Sequence, residues 1–201
     1  MGKRQTWTWH VVAFAVVVVA AGAGWYVGQR WGAATDIELP SVTQTPQTPT
    51  STTFSVYFDN ENINPNAQDC AAVYPLKRTV LYTQTVATAA LKELFRGPTS
   101  DEAAQGYQSL FSERTKDILI GVKVENNTAY VNLKDIRLLV SAASASCGGA
   151  QFFAEVETTL KQFPTVTRVV FALEGNPEAF YEWAQIGCSP QDNRCDLSPF
   201  Q

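Results

Sequence analysis

Histidine is almost missing from this chain of 201 residues, and its one copy is His10. The body of the protein therefore lacks the base of Ser-His and Cys-His nucleophile schemes and the imidazole of common metal sites. No glycine-rich phosphate loop occurs either. Cysteine is sparse: the four copies are Cys70, Cys147, Cys188 and Cys195, with no C-x-x-C pair of the kind found in zinc knuckles. None precedes Cys70, so no lipid-attachment cysteine follows the N-terminal apolar run. Runs of Lys or Arg are absent too. The formal charge is −4, but Lys3, Arg4 and Arg30 are the only charged residues before Asp36. Removing those three from 15 basic residues leaves 12 against 19 acidic ones, a balance of −7. That balance argues against nucleic acid or an anionic lipid surface as the main partner, because phosphate binding needs a basic patch.

What is present begins with a long apolar run. Residues 9–27 hold no charged side chain, and 11–23 are apolar apart from Gly22. Nineteen residues rising about 1.5 Å each span roughly the hydrocarbon core of a bilayer. Trp7 and Trp9 flank one end, and Trp25, Tyr26 and Trp31 the other, as interfacial aromatics do. Lys3 and Arg4 lie on the N-terminal side, so the positive-inside rule puts residues 1–8 in the cytoplasm and the remainder outside. A cleavable signal peptide, cut after Ala23, is the alternative. The uncleaved anchor is favoured because the apolar run and its aromatics continue past that point. Residues 28–53, rich in Pro, Thr, Ser and Gln, read as a linker with too little apolar surface for a core.

The folded domain is expected over 54–185, with a Cys-containing tail at 186–201. Phe54, Val56 and Phe58 alternate with polar neighbours as a strand with one buried face. Residues 73–81 form a second extended segment that Pro75 confines to an edge or a strand start. A helix follows over 84–96, with Val86, Ala90, Leu91 and Leu94 at helical spacing. Gly97 supplies its left-handed cap, and Pro98 stops it. Ser100, Asp101 and Glu102 can cap a brief second helix reaching Gln105. Residues 118–124 and 128–133 form a hairpin turning at Asn126-Asn127. A helix over 149–163 carries Phe152, Phe153, Val156, Leu160 and Phe163 on one face, opposite Glu155, Thr158 and Lys161. A last strand at 166–173 and a short helix at 177–185 complete an α+β fold, with helices packed on one face of a small mixed β-sheet.

The segments YFDN at 57–60, PLKR at 75–78, AALKELFRGPTSDE at 89–102, AYVNL at 129–133 and TLKQFPTVTRVVFALEG at 159–175 together resemble the GerMN domain. This is the sporulation and spore germination module of bacterial envelope proteins. The resemblance covers nearly all of 54–175 in order, and departs at FSERTKD, 111–117, where the family usually has a Pro-x-Gly-Thr turn. It implies a binding or assembly module associated with envelope complexes, sporulation channels or signalling, with no catalytic motif and no cofactor.

The residues themselves allow narrower expectations. Asp59, Glu61, Asp101, Glu102, Glu155, Glu157, Glu174, Glu178 and Glu182 are among the carboxylates from which a wall hydrolase would have to be built. Most of them fall on expected polar faces, caps or turns. Gly148-Gly149 before the second long helix could receive an anion, though a plain helix start is the simpler reading. Four cysteines allow three connectivities. The spacing favours Cys188–Cys195 closing a short loop and Cys70–Cys147 joining the first long loop to a helix, with a four-thiolate metal site or free thiols as alternatives. Tyr107, Phe111, Tyr181 and Trp183 lie outside the clear core pattern; exposed aromatics favour contacts with proteins or sugars, although ordinary core filling is the simpler reading for each taken singly. Gly97, Pro98, Asp101, Glu102, Tyr107 and Phe111 are therefore the candidate partner-binding residues. The expected partners are envelope proteins, with peptidoglycan as the alternative.

Overall fold

The computed structural model describes residues 50–188 and 193–201. The expected anchor at 9–27 and the linker up to residue 49 lie outside them. No helix among the described residues is long and apolar enough to cross a membrane.

The chain enters the fold on β1, Ser51–Asn60, three residues earlier than the sequence pattern suggests, and returns antiparallel on β2, Tyr74–Leu81. Helix α1, Val86–Phe95, follows and is stopped at Gly97. A single helical turn, α2, Ser100–Ala103, leads to the short strand β3, Tyr107–Gln108, which pairs with the end of β1. The hairpin of β4, Leu119–Glu125, and β5, Thr128–Leu133, turns on Asn126 and Asn127. Both asparagines have positive φ (49° and 59°), the geometry that two-residue hairpins need. Helix α3, Ser146–Lys161, then crosses over to β6, Arg168–Leu173, which runs parallel to β5. Helix α4, Pro177–Trp183, closes the core with its cap Asn176 accepting a bond from the Ala179 amide.

These strands form two three-stranded sheets rather than the one mixed sheet expected. The order is β2-β1-β3, all antiparallel, and β4-β5-β6, mixed. The helices do not lie on one face of one sheet. Helix α1 touches β1 and β4, and α3 touches β1 and β6, so each long helix bridges both sheets. The second edge of β1 is sealed by α3: Gln162 accepts from the Ser55 amide at 2.9 Å, and Thr159 from the Tyr57 amide at 3.2 Å. Side-chain cover of this kind hides strand polar groups that would otherwise invite another strand.

The core is a seam of phenylalanines. Phe95 packs on Phe111 with ring centroids 4.8 Å apart, Phe111 on Phe152 at 5.7 Å, and Phe152 on Phe171 at 5.6 Å. Phe171 stacks on Phe180 at 4.9 Å. One contact chain thus runs from α1 through α3 and β6 to α4, and each aromatic pair adds roughly 0.5–1.5 kcal/mol beyond its area burial. Residues 193–201, from the expected tail, reach back to the domain. The Phe200 ring meets Tyr130 of β5 edge-on at 5.7 Å, and Cys195 packs against the core.

Candidate functional site

The stretch after α1 is built around one arginine. Arg78 lies on β2 in alternation with Leu76 and Val80, on the half-buried face of that strand. An inward guanidinium needs carboxylates, and α1 and α2 provide them. Glu102 receives a two-pronged bond, its Oε1 from Nη1 and its Oε2 from Nη2 at 2.7 Å, while Glu93 stands 3.8 Å from Nε. Glu102 also completes a capping box with Thr99. Its Oε2 accepts from the Thr99 amide at 2.8 Å, and Thr99 Oγ1 accepts from the Glu102 amide at 3.4 Å. The cap is thus Thr99, one residue before the expected acidic turn. Burial alone would raise the Glu102 carboxyl, but the Arg78 bonds and the Thr99 amide outweigh it and hold the group below the ordinary carboxylate range.

Gly97 is required twice over. Its φ is +73°, and a Cβ there would stand 2.3 Å from the Phe111 carbonyl oxygen. The chain after β3 therefore presses directly on the end of α1. Thr115 secures the same junction by donating to the Phe95 carbonyl at 2.7 Å, from a 3-10 turn at Glu113–Thr115. This is how FSERTKD turns without a Pro-x-Gly-Thr sequence. Phe111 is only 2% exposed and belongs to the phenylalanine seam, so it cannot face a partner. Gly97 is buried as well, and Glu102 is committed to Arg78. Of the six candidate residues, Asp101 is exposed, and Pro98 and Tyr107 are half-buried. This clasp of Arg78 on Glu102 thus presents a fixed acidic turn, not a broad aromatic face.

Residues 55–179 match the family described as "Germane: Sporulation and spore germination". The chain belongs to this family. No curated protein matches it significantly. Among solved structures, the tandem GerMN domains of the sporulation protein GerM from Bacillus subtilis share 17% identity with a TM-score of 0.42. That comparison covers 65% of this chain and 42% of the tandem protein, so the chain spans less than half of its length. The first GerMN domain of GerM from Bacillus subtilis also shares 17% identity with a TM-score of 0.42, covering 61% of this chain and 82% of that one.

This Germane domain holds a second group of carboxylates that the sequence pattern conceals. Glu155 is fully buried, contrary to its expected place on a polar face of α3. At about 100° per residue it lies only about 60° around the helix from Phe152, on the flank of the apolar stripe rather than opposite it. Its Oε2 accepts from Ser109 Oγ at 2.6 Å and its Oε1 from Gln151 Nε2 at 3.0 Å. Burial pushes its pKa up to about 8 against the lowering effect of these two bonds, and the nearby Asp59 carboxylate adds to the rise. Asp59 is itself buried at the end of β1. It accepts from the Asn60 amide at 2.7 Å, from Asn64 Nδ2 at 3.0 Å and from Gln108 Nε2 at 3.2 Å. Every oxygen of this pair thus has a donor from the protein, which is the arrangement of a structural polar network.

The cysteines form two disulfides, Cys70–Cys147 and Cys188–Cys195, with Cα atoms 5.1 and 5.7 Å apart. No thiolate is left for the four-sulfur metal alternative. Cys70–Cys147 ties the loop bearing Asn64 to the first turn of α3. Gly148 and Gly149 lie inside α3 rather than before it, and a Cβ on Gly148 would stand 2.0 Å from the Ala142 carbonyl oxygen. Packing of this helix against the 3-10 turn at Ser141–Ser144 accounts for the glycine. Of the remaining aromatics, Tyr181 is buried and takes a bond from the Phe171 amide at 3.2 Å, while Trp183 packs partly buried against the core. The signal for Arg78 was present in the sequence as a charged residue in register with two apolar ones.

Proposed function

We propose that this chain is a non-catalytic module displayed outside the bacterial membrane, where it engages protein complexes of the cell envelope. The N-terminal apolar segment serves as its single-pass anchor, with the N-terminus in the cytoplasm. The observation that carries this reading is the match of residues 55–179 to the sporulation and spore germination family. Two features support it. The disulfides fit an oxidising compartment, where such bonds persist. The buried carboxylates are held by protein donors on each oxygen, which suits a scaffold better than an acid–base pair awaiting substrate. The surface that meets the partner is the acidic turn at Asp101 with the half-buried Tyr107 beside it.

In-cell crosslinking of the anchored protein, followed by mass spectrometry, tests the proposal. A defined set of envelope proteins should be captured by the wild type and lost in Asp101→Lys. Capture of peptidoglycan fragments alone, with no protein species, would contradict it.

A further inference from the structure

The sequence has no run of basic residues, yet the fold assembles a basic cleft from distant positions. Lys92 and Arg96 come from the last turns of α1, Lys116 and Asp117 from the turn beyond Thr115, Leu119 from the start of β4, and Lys134 from just after β5. They line an open cleft of about 510 Å³. Its walls are fixed by backbone. The Lys134 amide donates to the Ile118 carbonyl at 2.8 Å, and Thr115 ties the same turn to the end of α1.

The charges make this cleft unlike the rest of the domain. Four of its six lining residues are cations and one is a carboxylate, on a body whose balance is strongly acidic. Arg96 leans toward Glu93 at 3.6 Å, and Lys116 pairs with the exposed Glu113. Such exposed pairs contribute little and exchange readily. Lys92 and Lys134 make no ion pair with any described residue. Lys92 and Arg96 are like charges one helical turn apart, which repel one another in the free protein. Glu113 and Asp117 hold the Lys116 ammonium in its charged form, while Arg96 is close enough to oppose that effect. Gathering cations against this repulsion makes sense where an anion joins them.

The side-chain types narrow the anion. Arginine forks match carboxylate and phosphate alike, lysine holds phosphate as a point charge, and sugars and bases are matched by aromatic faces. Here three of the four cations are lysines, which act as point charges, and no lining residue is aromatic. We propose that this cleft binds a flexible phosphodiester-linked polyanion outside the membrane, a chain of the poly(glycerol phosphate) type. A free polymer is favoured over a lipid surface because the site is concave, has only Leu119 as an apolar lining residue, and sits on a domain that an extended anionic plane would repel. The proposal rests on the extracytoplasmic placement proposed above but not on the assembly partner: failure of the titration below leaves protein capture untouched, and loss of capture leaves the titration to be read.

The test is fluorescence anisotropy with a labelled synthetic poly(glycerol phosphate) oligomer and the full chain in neutral detergent. The wild type should bind, and Lys92→Glu with Lys134→Glu should weaken binding at least about tenfold and flatten its salt dependence. Lys77→Glu with Lys123→Glu, an equal charge change elsewhere, should leave affinity within about twofold. If reversal lowers the unfolding temperature, Lys92→Gln with Lys134→Gln reads the same question and should still weaken binding. The proposal is overturned by absence of binding or by equal loss in the control pair. It is also overturned if polyglutamate binds as tightly with the same dependence on Lys92 and Lys134, or if phosphatidylglycerol vesicles bind while the oligomer does not.

Discussion

Two glutamates on neighbouring helices of this domain meet opposite fates. Glu102, at the start of α2, stands at the protein's rim, gripped by Arg78 and the Thr99 amide, and is held in its charged form. Glu155, in the middle of α3, is buried with only hydroxyl and amide partners, and burial favours its neutral form. The same side chain thus serves as a clamp where a cation reaches it and as a buried hydrogen-bonding group where none does. The first region builds a rigid acidic turn that points outward. The second joins β1, β3 and α3 from within.

The largest expected effect removes the covalent tie over the second region. Cys70→Ser with Cys147→Ser should lower unfolding stability by about 2–4 kcal/mol in denaturant titration, because the bond closes a loop spanning 77 residues. Next, Arg78→Met should break the first region by leaving Glu93 and Glu102 without their partner, at a cost of about 1–3 kcal/mol by thermal unfolding. The pH profile sharpens the comparison further. The folded Glu155 carboxyl is raised from 4.5 to about 8, so the native state keeps a proton that the unfolded chain has released. That contribution is full below the unfolded value and is lost as pH rises toward 8. Glu102, lowered in the folded state, works the other way: its contribution is present above the ordinary carboxylate range and lost as pH falls through its depressed value. Glu155→Gln should therefore flatten the stability profile between neutral pH and mild acid, leaving the variant about as stable as the wild type or more so at pH 8. A wild-type profile that rises steadily from pH 5 to pH 8 would contradict this. Smallest in stability is Asp101→Asn, an exposed change expected to stay within about 0.5 kcal/mol while reducing partner capture.

Much of the local structure was legible in the sequence. Gly97 and Pro98 marked the end of α1, Asn126-Asn127 marked the hairpin, and β5 keeps the bounds that its alternation suggests. Local chemistry governs each of these, since a positive φ or a missing amide acts within a few residues. What depended on distant contacts was hidden. Helices α1 and α3 bridge the two sheets, and no local period shows which strands share a sheet. Phe111 follows no helical or strand repeat because it sits in a loop and is buried by Phe95 and Phe152 from two helices. Glu155 was misplaced because a carboxylate beside an apolar stripe is ordinarily solvated, and its hydroxyl partner Ser109 lies 46 positions away. The basic cleft escaped for the same reason, since its lysines converge only in the fold.

The most direct test of the assembly claim is a photo-reactive residue placed at Asp101 in living cells, in the wild type and in Arg78→Met. The expected result is a discrete protein adduct at position 101 that disappears when the clasp is removed while the chain remains present at the membrane. The contrary result is no protein adduct, or one that persists unchanged without Arg78, which would show that the acidic turn held by β2 is not the surface that meets the partner.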